Sequence, residues 1–155
     1  MIIKTEEELI SLGEQIGQNL LQQAGNSSPL VVELVGDVGA GKTTLTKGIA
    51  KGLKIDAAIT SPSFTISKRY KNNNIELVHY DFYRLEDPGL MAEDLEDTMS
   101  SNHTVAVIEW GDSIESLLPE NHPKITIALN DDETRTVKIE NLALNQGEPQ
   151  AWNFT

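Results

Sequence analysis

The sequence predicts an α/β fold, a central sheet flanked by helices with a β-hairpin near its C-terminal end, and three observations predict it. The apolar run Leu30-Val31-Val32-Glu33-Leu34-Val35 leads straight into Gly36-Asp37-Val38-Gly39-Ala40-Gly41-Lys42-Thr43-Thr44, and Leu45, Ile49, Ala50 and Leu53 follow at helical spacing. Strand, glycine loop, helix is the order in which the pattern G-x-x-x-x-G-K-[ST] binds phosphate. Two more apolar runs each end on an acid, Leu77-Val78-His79-Tyr80-Asp81 and Val105-Ala106-Val107-Ile108-Glu109. Residues 124–129 and 134–140 alternate around Asn130-Asp131-Asp132 as the arms of a hairpin do. Together these describe a single P-loop NTPase domain.

The elements follow in order. Thr5-Glu6-Glu7-Glu8 is a capping box, Thr5 reaching forward and Glu8 back, and Leu9, Leu12, Ile16 and Leu20 form one apolar helical stripe behind it. Gly25-Asn26-Ser27-Ser28-Pro29 ends that helix and turns the chain into the strand before the glycine loop. After the loop's helix, Ser61-Pro62-Ser63-Phe64-Thr65 has turn chemistry ahead of a strand from Ile66 to Tyr70. Asn72-Asn73-Asn74 reverses the chain into a returning strand over 75–80. Asp87-Pro88-Gly89 is a turn before an acidic helix marked by Met91, Leu95 and Met99. Residues 104–108 read as a central strand buried on both faces, and 113–118 as a short helix. The domain is expected to span 1–141, with 142–155 a mobile tail of little pattern.

At 155 residues the chain is long enough for one core and too short for a second domain. It has no cysteine, which excludes disulfides, thiolate metal sites and a cysteine nucleophile. No run approaches a membrane span, and Met1-Ile2-Ile3-Lys4-Thr5 lacks a signal-peptide core, so a cytoplasmic protein with no membrane partner is expected. Twelve Lys and Arg against 24 Asp and Glu give a net charge of −12, a field that repels nucleic-acid backbones.

The chemistry explains the residue types. Glycines at 36, 39 and 41 let successive backbone N–H groups over 37–44 converge on phosphate oxygens, with the following helix's N-terminal end adding positive character. Lys42 is expected at the β- and γ-phosphates and the Thr43 hydroxyl on Mg²⁺. Hydrolysis also needs a carboxylate at the end of a neighbouring strand, and both Glu109 and Asp81 qualify; the sequence leaves open which of them ligates the metal. No N-K-x-D guanine-reading motif occurs, which favours ATP over GTP.

Four segments together, G-D-V-G-A-G-K-T-T at 36–44, S-P-S-F at 61–64, H-Y-D-F-Y-R-L at 79–85 and E-W at 109–110, closely resemble the TsaE (YjeE) family of small bacterial ATPases. The departures are Val38 for the usual Leu and Ser63 for the usual Thr. The resemblance implies an ATPase of tRNA threonylcarbamoyladenosine synthesis that works with the TsaB and TsaD proteins and meets tRNA only indirectly. It also implies roles for Lys42 at the phosphates, Thr43 and Glu109 at Mg²⁺, Asp81 near the metal or the attacking water, residues 61–65 as a mobile loop, and Trp110 beside the nucleotide. Arg135 corresponds to a frequent family arginine expected near the nucleotide.

Other residues carry two readings each. The Thr65 hydroxyl would serve metal or γ-phosphate, or simply begin a strand. His79 would orient Asp81, or fill the core. Arg84 is one of three arginines and would either meet transition-state charge or pair with Glu86 or Asp87. Two rival functions remain: a small-molecule kinase, for which three scattered arginines make a poor lid, and a nucleotide-gated binding protein with negligible turnover.

Overall fold

The computed structural model describes residues 1–26, 29–83, 85, 87, 89–142 and 144. Along the chain these form β1 (Ile2–Ile3), α1 (Glu6–Gln23), β2 (Leu30–Val35), α2 (Lys42–Gly52), β3 (Ser67–Lys71), β4 (Glu76–Asp81), α3 (Leu90–Met99), β5 (Thr104–Glu109), a 3₁₀ helix (Gly111–Leu117), β6 (Lys124–Leu129) and β7 (Arg135–Glu140). The strands make one sheet in the order β1-β7-β6-β2-β5-β4-β3. Strands β6, β2, β5 and β4 run parallel at its centre, while β3, β7 and β1 are antiparallel additions.

The central strands are apolar throughout because both faces of the sheet are covered. Leu30, Val32 and Leu34 of β2, with Val105 and Val107 of β5, face α1 and α2. Val31, Ala106 and Ile108 face the opposite layer, made by α3 and the 3₁₀ helix around Leu95 and Ile114. Parallel strands end at one edge, so β2 delivers the glycine loop where β4 delivers Asp81 and β5 delivers Glu109. In register, Glu109 lies opposite both Leu34 and Asp81.

Helix α1 starts as its capping box requires: Thr5 Oγ1 accepts from the Glu8 N–H at 3.1 Å. Glu8 reaches back one residue beyond the cap, accepting the Lys4 N–H at 2.6 Å. Four glycines let α1 cross α2 with backbones nearly touching. A Cβ on Gly13 would lie 2.4 Å from the Leu45 carbonyl oxygen, on Gly17 2.2 Å from that of Ile49, on Gly48 2.2 Å from that of Ile10, and on Gly52 2.1 Å from that of Glu14. Sequence periodicity marks the apolar stripe of α1 but not this glycine seam, which exists only once the helices meet.

Several boundaries differ from the sequence expectation. β1 was not anticipated; two residues are too few to show a period, and Ile2 and Ile3 become a strand only because β7 offers Thr136 and Arg135 as partners. The late hairpin is joined to the main sheet through β6 beside β2. The strand expected from Ile66 begins at Ser67, since Ile66 takes a left-handed φ of 68°. The short helix is a 3₁₀ turn beginning two residues early, at Gly111. Of the expected tail, Leu142 and Leu144 pack against the core, and 143 and 145–155 lie outside the described residues.

Candidate nucleotide site

The site grows from the backbone of the glycine loop. Gly39 (φ 85°) and Gly41 (φ 117°) take left-handed conformations that L side chains rarely adopt. Alternating handedness turns successive N–H groups toward one point, the geometry of an anion-binding nest. Helix α2 then starts at Lys42 with no side chain capping its first-turn amides. An uncapped, glycine-lined helix start is what a phosphate would occupy.

Lys42 is 7 % exposed and folds back over this loop. Its Nζ donates to the carbonyl oxygens of Gly36 and Asp37, the latter at 3.0 Å. The same ammonium lies 3.9 Å from Glu109 Oε1 and 5.0 Å from the centre of the Trp110 ring. Its hydrogen bonds therefore go to two neutral carbonyls, partners that an anionic oxygen would outcompete because charge-assisted bonds are stronger.

The two acids sit at neighbouring strand ends, both buried. Asp81 Oδ2 accepts from the Ser63 hydroxyl at 3.0 Å, and Oδ1 from the Tyr83 N–H at 2.9 Å. Ser63 Oγ is in turn 2.7 Å from Ser61 Oγ. Glu109 Oε2 is 2.5 Å from His79 Nε2. His79 is fully buried, as the core reading expected, but holds Glu109 and not Asp81, which corrects the other reading: in the β4–β5 register it faces Val107, two residues before Glu109 on the same face. Trp110 follows in a left-handed conformation (φ 57°) and meets the Tyr83 ring at 4.8 Å between centroids.

These groups enclose a cavity of about 340 Å³. Val38, Gly39, Gly41, Lys42, Thr43 and Thr44 form one wall; Asp81, Glu109, Trp110 and Arg135 are joined on the others by Ser61, Ser63 and Tyr83. Asp37 and Ala40, expected at the nucleotide, do not line the cavity; their carbonyls accept from Lys42 Nζ and, at 2.6 Å, from Arg135 Nε. The Thr65 hydroxyl, expected at metal or phosphate, is turned away and donates to the Ser67 carbonyl at 3.1 Å. The cause is the turn before it. Pro62 O accepts from both Thr65 N (3.0 Å) and Ile66 N (2.7 Å), which winds the segment tightly, leaves Phe64 wholly exposed, and brings Ser61 and Ser63 to the cavity instead. Sequence reasoning also passed over Tyr83; its place two residues after Asp81 in the H-Y-D-F-Y segment was the available signal. Arg84 lies outside the described residues, as does Glu86, one of the two acids it was expected to pair with.

The donor set fits a nucleotide with a hard divalent cation. Mg²⁺ is held by one or two carboxylates together with phosphate oxygens and water rather than by an all-protein cage. Among the described residues, no three His, Cys, Asp or Glu side chains cluster to hold an ion. Thr43, Asp81 and Glu109 reach the same cavity as the nest.

A parallel-centred sheet whose β2 runs through a left-handed glycine nest into α2, with acids ending the next two strands, defines an α/β protein with the strand, glycine loop and helix order of the P-loop pattern. The model of one family, described as threonylcarbamoyl adenosine biosynthesis protein TsaE, matches residues 3–137. The chain belongs to the TsaE family. It is 43 % identical over 108 residues to the tRNA threonylcarbamoyladenosine biosynthesis protein TsaE of Bacillus subtilis (69 % of this chain, 66 % of the relative). It is 32 % identical over 142 residues to the protein of that name from Nostoc sp. (90 % and 83 %), and 38 % identical over 136 residues to that of Streptomyces coelicolor (83 % and 89 %). The crystal structure of Bacillus subtilis YdiB superposes with a TM-score of 0.68 at 29 % identity, covering 90 % of this chain and 82 % of that one. Among the described residues, no helix is long and apolar enough to cross a membrane.

Proposed function

We propose that this chain is a Mg²⁺-dependent ATPase serving tRNA threonylcarbamoyladenosine biosynthesis, and that it works in an assembly with the TsaB and TsaD proteins. The observation that carries the reading is the meeting of Lys42, Thr43, Asp81 and Glu109 around one cavity at the mouth of the glycine nest. Backbone amides of the cavity-lining loop residues 38, 39 and 41–44 cradle the phosphates, and Lys42 exchanges the Gly36 and Asp37 carbonyls for β- and γ-phosphate oxygens. Thr43 with Glu109 or Asp81 holds the cation, and the carboxylates orient the attacking water. The chemistry a bound Mg²⁺ would supply there is neutralisation of the charge that develops on the phosphates. Trp110 and Arg135 flank the nucleotide, Arg135 being steadied by its bond to Ala40. The unit that does this is residues 1–141.

The partner dependence has a physical basis. The turn at 62–66 presents Phe64 fully to solvent and joins Asp81 through the Ser63 hydroxyl, so a protein docked on the turn would act directly on a catalytic carboxylate. The test is ATP hydrolysis by this chain alone and after addition of TsaB and TsaD, paired with partner affinity measured with an ATP analogue and with ADP. Slow turnover alone, stimulation by the pair and a nucleotide-dependent affinity are expected. Full activity alone, with equal affinity in both nucleotide states, would refute it.

A further inference from the structure

His79 is a fully buried imidazole with only one of its nitrogens used. Nε2 lies 2.5 Å from Glu109 Oε2, and Nδ1 has no hydrogen-bond partner among the described residues. A carboxylate only accepts, so the hydrogen of this contact sits on Nε2. Nδ1 is then a bare lone pair. With a carboxylate on Nε2 and no acceptor within reach of Nδ1 among the described residues, the geometry selects the Nε2–H tautomer.

A buried group half satisfied is an expense that a plain apolar residue, such as its equally buried cross-strand partner Val107, avoids. What the imidazole supplies instead is a directed donor. A glutamate carboxylate turns readily about its last torsion, exchanging its two oxygens. With Oε2 held from below by His79, Oε1 is the oxygen 3.9 Å from Lys42 Nζ, and Glu109 lines the cavity at that end.

We infer that His79 is a positioning residue whose Nε2–H clamps one oxygen of Glu109 so that the other is presented to the nucleotide-bound cation. This rests on the Mg²⁺-ATP reading above. Partners that orient metal-ligating side chains commonly contribute tenfold or more to metal affinity.

Two substitutions separate positioning from packing. In His79→Gln the amide nitrogen lies as many bonds from Cα as Nε2 does, whereas in His79→Asn it falls at the level of Nδ1. Both discard the ring and lose similar packing. The readout is the Mg²⁺ concentration that half-saturates binding of a non-hydrolysable ATP analogue, together with analogue affinity in the absence of metal. His79→Gln is expected within about threefold of wild type and His79→Asn at least about tenfold weaker in Mg²⁺, with metal-free affinity preserved in both. Equal Mg²⁺ requirements in the two variants, or losses that appear equally without metal, would overturn the proposal. Wild-type binding indifferent to Mg²⁺ would instead sink the Mg²⁺-ATP reading. ¹⁵N NMR of the histidine rings in unsubstituted protein decides the tautomer in every case: a protonated Nε2 on His79 is expected, and a protonated Nδ1 refutes the clamp.

Discussion

Replacing Gly48 with Ala should unfold this protein more easily even though alanine is the better helix former. In α2, Gly→Ala gains about 1 kcal/mol of helix propensity. Against that, the new Cβ would stand 2.2 Å from the Ile10 carbonyl oxygen and 2.8 Å from the Gly13 Cα. Ordinary carbon–oxygen contact begins near 3.3 Å, so α1 and α2 must separate by about 1 Å. Both obstructing atoms are backbone and cannot rotate aside. The separation loosens Leu9, Leu12 and Ile16, all at 0 % exposure, against Leu45 and Ile49. Overpacking of this kind costs about 3 kcal/mol at the upper end of its usual range, leaving a net loss of about 2 kcal/mol after the propensity gain. With a urea m-value of about 2 kcal/mol/M, the midpoint should fall by about 1 M at unchanged slope. Lys47→Ala, one position earlier and exposed, is the control and should move the midpoint little. A Gly48→Ala protein as stable as wild type, or more so, would refute the close-crossing argument and leave α2 governed by propensity alone.

Two further outcomes test the site. Lys42→Ala removes the cation that folds over the nest, and ATP affinity should fall by about 3 kcal/mol, roughly a hundredfold, in equilibrium binding; unchanged affinity would reject the phosphate assignment. Glu109→Gln keeps an oxygen to accept from His79, so thermal stability should stay near wild type while ATP turnover drops about a hundredfold and metal-free analogue binding changes little; wild-type turnover would show that the carboxylate is not needed.

The chain order of this protein's elements is legible because every element except β1 is announced within a dozen residues. Apolar runs ending on Asp81 and Glu109, the capping box at Thr5, the Asn72 turn and the glycine loop before Lys42 are local patterns, and the structure holds them: Asn72 Oδ1 accepts from both Asn74 and Ile75 N–H groups, as a tight reversal demands. The motif segments likewise sufficed to place the chain in its family. Tertiary structure decided what depends on which strand lies beside which. The β4–β5 register placed His79 beneath Glu109 rather than on Asp81, two residues along its own strand. Hydrogen bonds to the Pro62 carbonyl turned Thr65 away from the cavity and Ser63 toward Asp81. β1 exists because β7 pairs with it, and the glycines of α1 and α2 acquire their purpose only at the crossing. Periodicity records which face of an element is apolar, since that is a property of one segment. It carries no record of partner, register or side-chain direction, because those are settled by contacts between residues far apart in the chain.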